Sequence, residues 1–343
     1  MTRKLRWGII STGSIAGTLA RALATSKTSE LVAVASRSAD AAARFAAEHA
    51  VARAYASYEQ LLADPEVEVV YIATPHPSHA QWAIAAARAK KHILCEKPLA
   101  MNEREVRAVV QAARENDVFL MEAFMYRCHP QTRELVSLIQ RGVLGQVKAV
   151  HACFGFSGAF SATGRLLNNE LGGGGILDVG CYPVSLARLV AGAANGQPFC
   201  EPLEVHALGH LGPSTRVDEY AVAICKFPGE ILATLATSVQ LEQDNVVRIF
   251  GTEARVLLRQ PWLPAPDGGF SEILIERRNR EPETLRVSAH QSPYAYEVDT
   301  VAAQIAQREA REMTLADSLG NAQALDRWRQ GIGLTYPADL PQG

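Results

Sequence analysis

Residues 5–20, LRWGIISTGSIAGTLA, carry an apolar, β-branched run through a short turn straight into an alanine-rich helical pattern, and this joint constrains the fold more than any other stretch. A strand that hands over to a helix within a few residues builds a βαβ unit when the pattern repeats, and such units make parallel sheets with helices on both faces. The pattern does repeat. RWGII, LVAVAS, VEVVYIAT, HILCE and VFLME read as strands, with helical stretches starting near Ser14, Ala39, His79 and Asn102, the last with Asn102 and Glu105 spaced as a capping box. From Gln146 the pattern changes to longer alternating runs, VKAVHACFGF, EYAVAICKF, ILATLATSVQL, VVRIFG and SEILIER, punctuated by Gly and Pro. Helices are expected over 131–140, 176–189, 294–307 and about 318–331. The fold class predicted is α/β, a doubly wound parallel sheet over 1–125 followed over 126–343 by an α+β domain with a large, mostly antiparallel open sheet.

Composition narrows the partners. A chain of 343 residues suits two domains at about 150 residues each. A formal net charge of -2 offers no field for a polyanion, so nucleic acid is excluded as a partner. The six cysteines form no C-x-x-C pair and no metal-ligand spacing, which predicts reduced thiols, no metal and a cytoplasmic location. The apolar stretch before Ser11 is too short for a signal segment and no 18-residue apolar run is read anywhere, so no membrane association is expected.

The turn after the first strand, Ser11-Thr12-Gly13-Ser14-Ile15-Ala16, is a G-x-G-x-x-A fingerprint with serine in the first glycine's place. Gly13 lets the backbone approach a pyrophosphate and the following helix presents its N-terminus to the anion, which makes the first domain a dinucleotide-binding Rossmann domain. The second strand ends Ala35-Ser36-Arg37-Ser38, with no carboxylate before Asp40. A carboxylate there would take a ribose 2′-hydroxyl, whereas Ser36 and Arg37 suit a 2′-phosphate, so NADP(H) is the preferred cofactor and NAD(H) the second choice. The other reading of these residues is a helix capped by Ser38 with Arg37 in solvent.

Thr74, Pro75, His76 and His79 in ATPHPSHA fall at the carboxyl end of a strand, where a dinucleotide crosses the sheet. ILCEKPLA then runs an apolar strand into Glu96-Lys97-Pro98, placing a carboxylate and an ammonium beside the nicotinamide half. Hydride transfer to or from a carbinol must be matched by a proton at oxygen, and a cation is needed there. An isolated Glu-Lys pair would otherwise be a surface ion pair. In LGGGGILDVGCYP, four glycines at 172–175 allow close approach, and Asp178 and Tyr182 stand four apart on one helical face, with Pro183 starting or kinking the helix. A carboxylate can hold a sugar hydroxyl while a phenol exchanges its proton. A glycine turn before a capped helix is the structural alternative.

WGIISTGSIA, ASRS, YIATPHPSH, HILCEKP, FLMEAFMYRCHP and GGGGILDVGCYP together resemble the glucose-fructose oxidoreductase, inositol dehydrogenase and MocA family over nearly the whole chain. Within that family the likeness is greatest to the dimeric dihydrodiol dehydrogenases and NADP-dependent D-xylose 1-dehydrogenases. The resemblance implies Lys97 as the lysine of an E-K-P motif, Asp178 as the aspartate of a D-x-G-x-Y/H motif and Tyr182 as the acid/base, where many relatives carry histidine. It also implies that Arg127, Phe154 and Phe156 line the substrate pocket. Ser11 departs from the family's glycine. The function expected is NADP-dependent hydride transfer on a sugar or cyclic diol by a homodimer that pairs through the open face of the second sheet. The alternatives on the same fold are an NAD-dependent glycosidase with a tightly held cofactor and a non-catalytic nucleotide-sensing co-regulator.

Overall fold

A computed structural model of the chain describes residues 3–158, 161 and 164–340, arranged in two compact units. The first comprises Met1–Ala100, Arg104–Cys128 and Gln291–Ser318; the second comprises Met101–Glu103, His129–His290 and Leu319–Gly343.

In the first unit, β1 (Leu5–Ile10), β2 (Ser29–Ala35), β3 (Arg53–Tyr55), β4 (Val69–Ile72), β5 (His92–Glu96) and β6 (Leu120–Ala123) form one sheet in the order β3-β2-β1-β4-β5-β6. Every pairing is parallel. This is the doubly wound order, and its direction reverses between β1 and β4. All of β4 and all but His92 of β5 are buried, which is why these strands read as continuous apolar runs. The sequence reading contains neither β3 nor the helix Tyr58–Ala63, because Arg-Ala-Tyr has no apolar run and six residues have no periodicity to detect. The helix Pro293–Gln304, expected in the second domain, belongs to this first unit. It packs on the helix Ser14–Thr25 and the turn Met125–Cys128, starting from Ser292, which caps Ala295 N–H, and Pro293 in its first turn.

In the second unit, β7 (Val147–Gly155), β8 (Glu204–Leu211), β9 (Asp218–Phe227), β10 (Ile231–Ser238), β11 (Val247–Gly251), β12 (Ala254–Leu258), β13 (Gly269–Arg277) and β14 (Glu283–Ala289) form an eight-stranded sheet in the order β14-β13-β12-β11-β7-β10-β9-β8. All neighbours run antiparallel except β7 and β10. The helix Cys181–Ala194 lies on β7 and β10, and Pro130–Gln140 lies on β13 and β14. On β9 the alternation is strict, with Ala221, Ala223 and Cys225 buried and Val222 and Ile224 exposed. Three strands were not expected. β8 and β14 are edge strands, mostly exposed and broken by charged and polar residues, and β12 is only five residues long.

The segment Asn169–Ala194 is long and apolar enough to cross a membrane by length and composition, which corrects the expectation that no apolar run of that length occurs. Its apolar window is entirely buried in the protein, as in a core helix.

Candidate active site

The cofactor end is built at the carboxyl edge of the first unit's sheet, where the strand order reverses. Ser11 N–H donates to Ala35 O at 2.9 Å, tying the end of β1 to the end of β2, and the residue sits at φ 95°. That is the left-handed region glycine favours, so serine here adopts the conformation the fingerprint calls for despite its Cβ. Gly13 stands at the N-cap of the helix Ser14–Thr25, which has no side-chain cap and no acidic residue in its first turn. A Cβ on Gly13 would meet only Ser11 Oγ, at 3.9 Å, so space is open above the turn. Across the reversal point, Thr74 Oγ1 is buried without a partner. Amide donors at a helix start, a glycine facing open space and an unpartnered hydroxyl fit an anionic dinucleotide.

At the end of β2, Ser36 is buried and its Oγ accepts from Ser38 N–H at 3.3 Å. Ser38 caps the helix Ala39–Glu48 through Ala41 N–H at 3.3 Å. Arg37 is exposed, beside Tyr58, whose phenol is raised by burial against the opposing effect of that guanidinium. Both features of the structural alternative for this stretch are present, the cap on Ser38 and Arg37 exposed to solvent.

The Lys97 turn is held from three sides. The Lys97-Pro98 peptide is cis. Tyr71 hydroxyl, on β4, donates to Glu96 Oε1 in a short bond, and Glu96 Oε2 accepts from Lys97 N–H at 3.3 Å. Glu122, on β6, accepts from Leu99 N–H at 2.9 Å. His79 places Nδ1 2.8 Å from Pro98 O and Nε2 2.8 Å from Thr74 O, bridging the two carbonyls. Glu96 and His79, expected at the cofactor, thus fasten the backbone on either side of Lys97. The His76 ring lies edge-on to His79 at 5.7 Å.

Behind this turn lies a glutamate the sequence reading missed. Glu297, on the helix Pro293–Gln304, is fully buried with both carboxyl oxygens unpartnered. Burial first, and the Glu96 carboxylate second, hold it well above the usual carboxyl range. A carboxyl raised on folding contributes its full stability below the unfolded value, near 4.3, and loses it as pH rises toward the folded value. Glu297→Gln removes this ionisation. Urea denaturation should therefore show the variant gaining stability relative to the wild type as the pH rises above about 4, and parallel curves would contradict a raised Glu297.

Arg127, expected at the substrate, is 4% exposed; its guanidinium pairs with Asp317 at 2.6 Å and its Nε donates to Glu312 O at 3.0 Å. The structure gives it a packing role inside the first unit, where a buried arginine needs its carboxylate.

In the second unit, Ile176–Gly180 forms a wide π turn that leads into the helix Cys181–Ala194. Pro183 has no N–H to give Val179 O, so a regular helix from Ile176 to Leu189, as the sequence suggested, cannot run unbroken. Asp178 is buried on the π turn, its Oδ1 2.8 Å from the Arg165 guanidinium. Tyr182, also buried, stands in the first turn of the helix. Its ring lies 5.3 Å from Phe154 and 5.8 Å from Trp262, and the Phe154 and Trp262 rings stack at 5.6 Å. Trp262 Nε1 donates to Cys153 O at 2.9 Å, which fixes the indole. Sequence reasoning missed Trp262, since it sits in an irregular segment with no motif around it. Phe156, two residues beyond Phe154, is half-buried past the end of β7. Among the described residues no cluster of His, Cys, Asp or Glu could hold a metal ion.

Comparison with known proteins gives two family matches, "Oxidoreductase family, NAD-binding Rossmann fold" over residues 5–124 and "GFO/IDH/MocA C-terminal domain" over 132–257. A trans-1,2-dihydrobenzene-1,2-diol dehydrogenase of Danio rerio is 36% identical over 343 residues, 98% of this chain and 99% of the relative. KijD10, a 3-ketoreductase from Actinomadura kijaniata solved with NADP and TDP-benzene, superposes with a TM-score of 0.86 at 28% identity, covering 96% of this chain and 98% of that one. An aldose-aldose oxidoreductase from Caulobacter crescentus, solved with glycerol, shares the fold with a TM-score of 0.85 at 22% identity, covering 96% and 97%.

Proposed function

The chain belongs to the GFO/IDH/MocA oxidoreductase family, whose N-terminal domain is an NAD-binding Rossmann fold, and from that membership we propose an NADP-dependent dehydrogenase or reductase. Its substrate is a secondary carbinol or carbonyl of a sugar, such as D-xylose or D-glucose, or of a cyclic trans-diol. The observation that carries this reading is Lys97 pinned at the carboxyl end of β5, next to the β1/β4 reversal where the fingerprint turn and Thr74 lie. The relatives named for dihydrodiol oxidation and for NADP-linked ketone reduction support the substrate class.

When bound, the nicotinamide supplies the hydride acceptor or donor. Gly13 and the amides of Ser14 and Ile15 hold the pyrophosphate, with Thr12 and Thr74 hydroxyls alongside, and Ser36 and Arg37 take the 2′-phosphate. In oxidation Tyr182 takes the hydroxyl proton as the carbinol C–H bond breaks; in reduction it returns that proton to the oxygen. Lys97 stabilises the developing alkoxide and lowers the phenol pKa. Asp178 holds a neighbouring substrate hydroxyl against the aromatic wall of Phe154 and Trp262. A panel of aldoses, inositols, trans-dihydrodiols and 3-ketosugars, followed by NADP(H) absorbance, tests the reading; turnover of none in either direction would overturn it.

The same reading makes the protein a cytoplasmic homodimer, consistent with six cysteines that form no disulfide. The outward face of β8, β9 and β10 carries Leu208 at 77% exposure and Ile224 at 54%, with Val222 and Leu232 between and beside them in register. A contiguous apolar face of this kind suits a second copy. Light scattering should give about twice the 37.1 kDa chain mass, falling to one chain in Leu208→Arg. A wild type that is monomeric at micromolar concentration would refute the dimer.

A further inference from the structure

The glycine turn that carries Asp178 and Tyr182 is clasped by side chains from three other elements. Tyr336 hydroxyl donates to Gly173 O at 2.5 Å, and Thr237 Oγ1, on β10, donates to Gly175 O at 3.0 Å. Asp218, the first residue of β9, is fully buried; its Oδ2 accepts from Ile176 N–H at 2.6 Å, the Gly175 amide bears on the carboxylate more weakly, and Oδ1 is buried without a hydrogen-bond partner. Gly174 sits at φ 105°, and a Cβ there would overlap Asp218 Oδ1, so the turn closes directly on this carboxylate. Nothing in the hydride-transfer reading uses Asp218.

Resting on that reading for the roles of Asp178 and Tyr182, we propose that Asp218 is the positioning residue of this turn: its ionised carboxylate gathers the Gly175 and Ile176 amides and so sets where Asp178 and Tyr182 stand, making turnover depend on its charge.

The surroundings explain why this charge is held so finely. The nearest cation is Arg329, on the helix Leu315–Gly331, which is already paired with Asp326 at 2.5 Å and Asp339 at 2.7 Å. Tyr336 is raised well above the usual phenol range, chiefly by burial and then by Asp218, so it remains a neutral donor. Of the other carboxylates near Tyr336, Asp339 is paired with Arg329 and Asp178 with Arg165. Amide N–H groups are therefore the main support of the Asp218 anion. Burial outweighs them and pushes the carboxyl up to about 7, so it changes charge within the neutral range. Protonation weakens the charge-assisted bond to Ile176 N–H, at the start of the π turn that leads into the Tyr182 helix.

The test uses the full-length protein and Asp218→Asn, which keeps an acceptor oxygen but removes the ionisation. At about pH 8 the variant should lose about tenfold or more in kcat while NADPH affinity stays unchanged. The wild-type kcat should fall with acid through about pH 7, and Asp218→Asn should lose that limb while keeping any limb that belongs to Tyr182. Hydrogen exchange over 172–182, corrected for intrinsic rates, should be faster in the variant, and the wild type should approach it as the pH is lowered. Should Asp218→Asn fail to fold, the Ile176 amide resonance of isotope-labelled wild type serves instead, and it should titrate through neutral pH. Parallel pH profiles with an Ile176 amide that does not titrate would overturn the proposal. Exchange and amide titration need no substrate, so their success without turnover on any panel compound would sink the proposed function and leave the clasp standing.

Discussion

Tyr182→Phe is expected to lower turnover about a hundredfold or more while leaving NADPH affinity nearly unchanged. The substitution removes only the hydroxyl. The ring stays in its place against the stacked Phe154 and Trp262, so the fold around it should persist and the loss should report proton transfer alone. A free phenol titrates near 10 and is a poor base at neutral pH unless a cation lowers that value. Lys97 is that cation in the proposed mechanism. Lys97→Ala should cost at least as much, and because the two residues serve one step, the double variant should be much less than multiplicatively worse. Stopped-flow turnover of both single variants and the double variant checks this. Near-full activity of Tyr182→Phe, with chemistry shown to limit the rate, would move the proton to another group.

Arg37→Ala should weaken NADPH binding about tenfold to a hundredfold, the worth of a charge-assisted hydrogen bond, and leave NADH binding little changed. Arg37 is exposed at the end of β2, and Ser38, beside it, is committed to capping the next helix. Ser38→Ala should therefore act differently, costing about 1 kcal/mol of stability with no change in the NADPH to NADH ratio. Titration of nucleotide into each variant separates the two effects. Equal losses for both cofactors in Arg37→Ala would show that the guanidinium does not read the 2′-phosphate.

Much of the fold could be read from the sequence because its information is local. The buried strands β4 and β5 are continuous apolar runs, and the fingerprint turn and the E-K-P turn mark the strand ends where ligands meet a parallel sheet. What could not be read is what depends on distant pairings. β3 is only three residues long and is a strand because β2 lies beside it. Pro293–Gln304 reads as an ordinary amphipathic helix, and nothing local says that it returns to the first unit. Glu297 on that helix looks like a solvent-facing acid until Glu96 and Tyr71 are found near it. Trp262 joins Tyr182 from a segment 80 residues away in sequence, and Asp218 reaches Ile176 across 42 residues. Arg127, which the resemblance placed at the substrate, is buried against Asp317 and the Glu312 carbonyl, contacts that no local pattern shows.

The most direct measurement of hydride transfer uses a turned-over sugar or diol deuterated at the reacting carbinol carbon, incubated with NADP+ and followed by mass spectrometry of cofactor and product together. Expected is one deuterium on the nicotinamide of released NADPH for each ketone or lactone formed, with the two appearing in equal amounts. Product formed without deuterium in the released cofactor, or sugar eliminated while the cofactor stays bound and returns to its starting redox state, would contradict it.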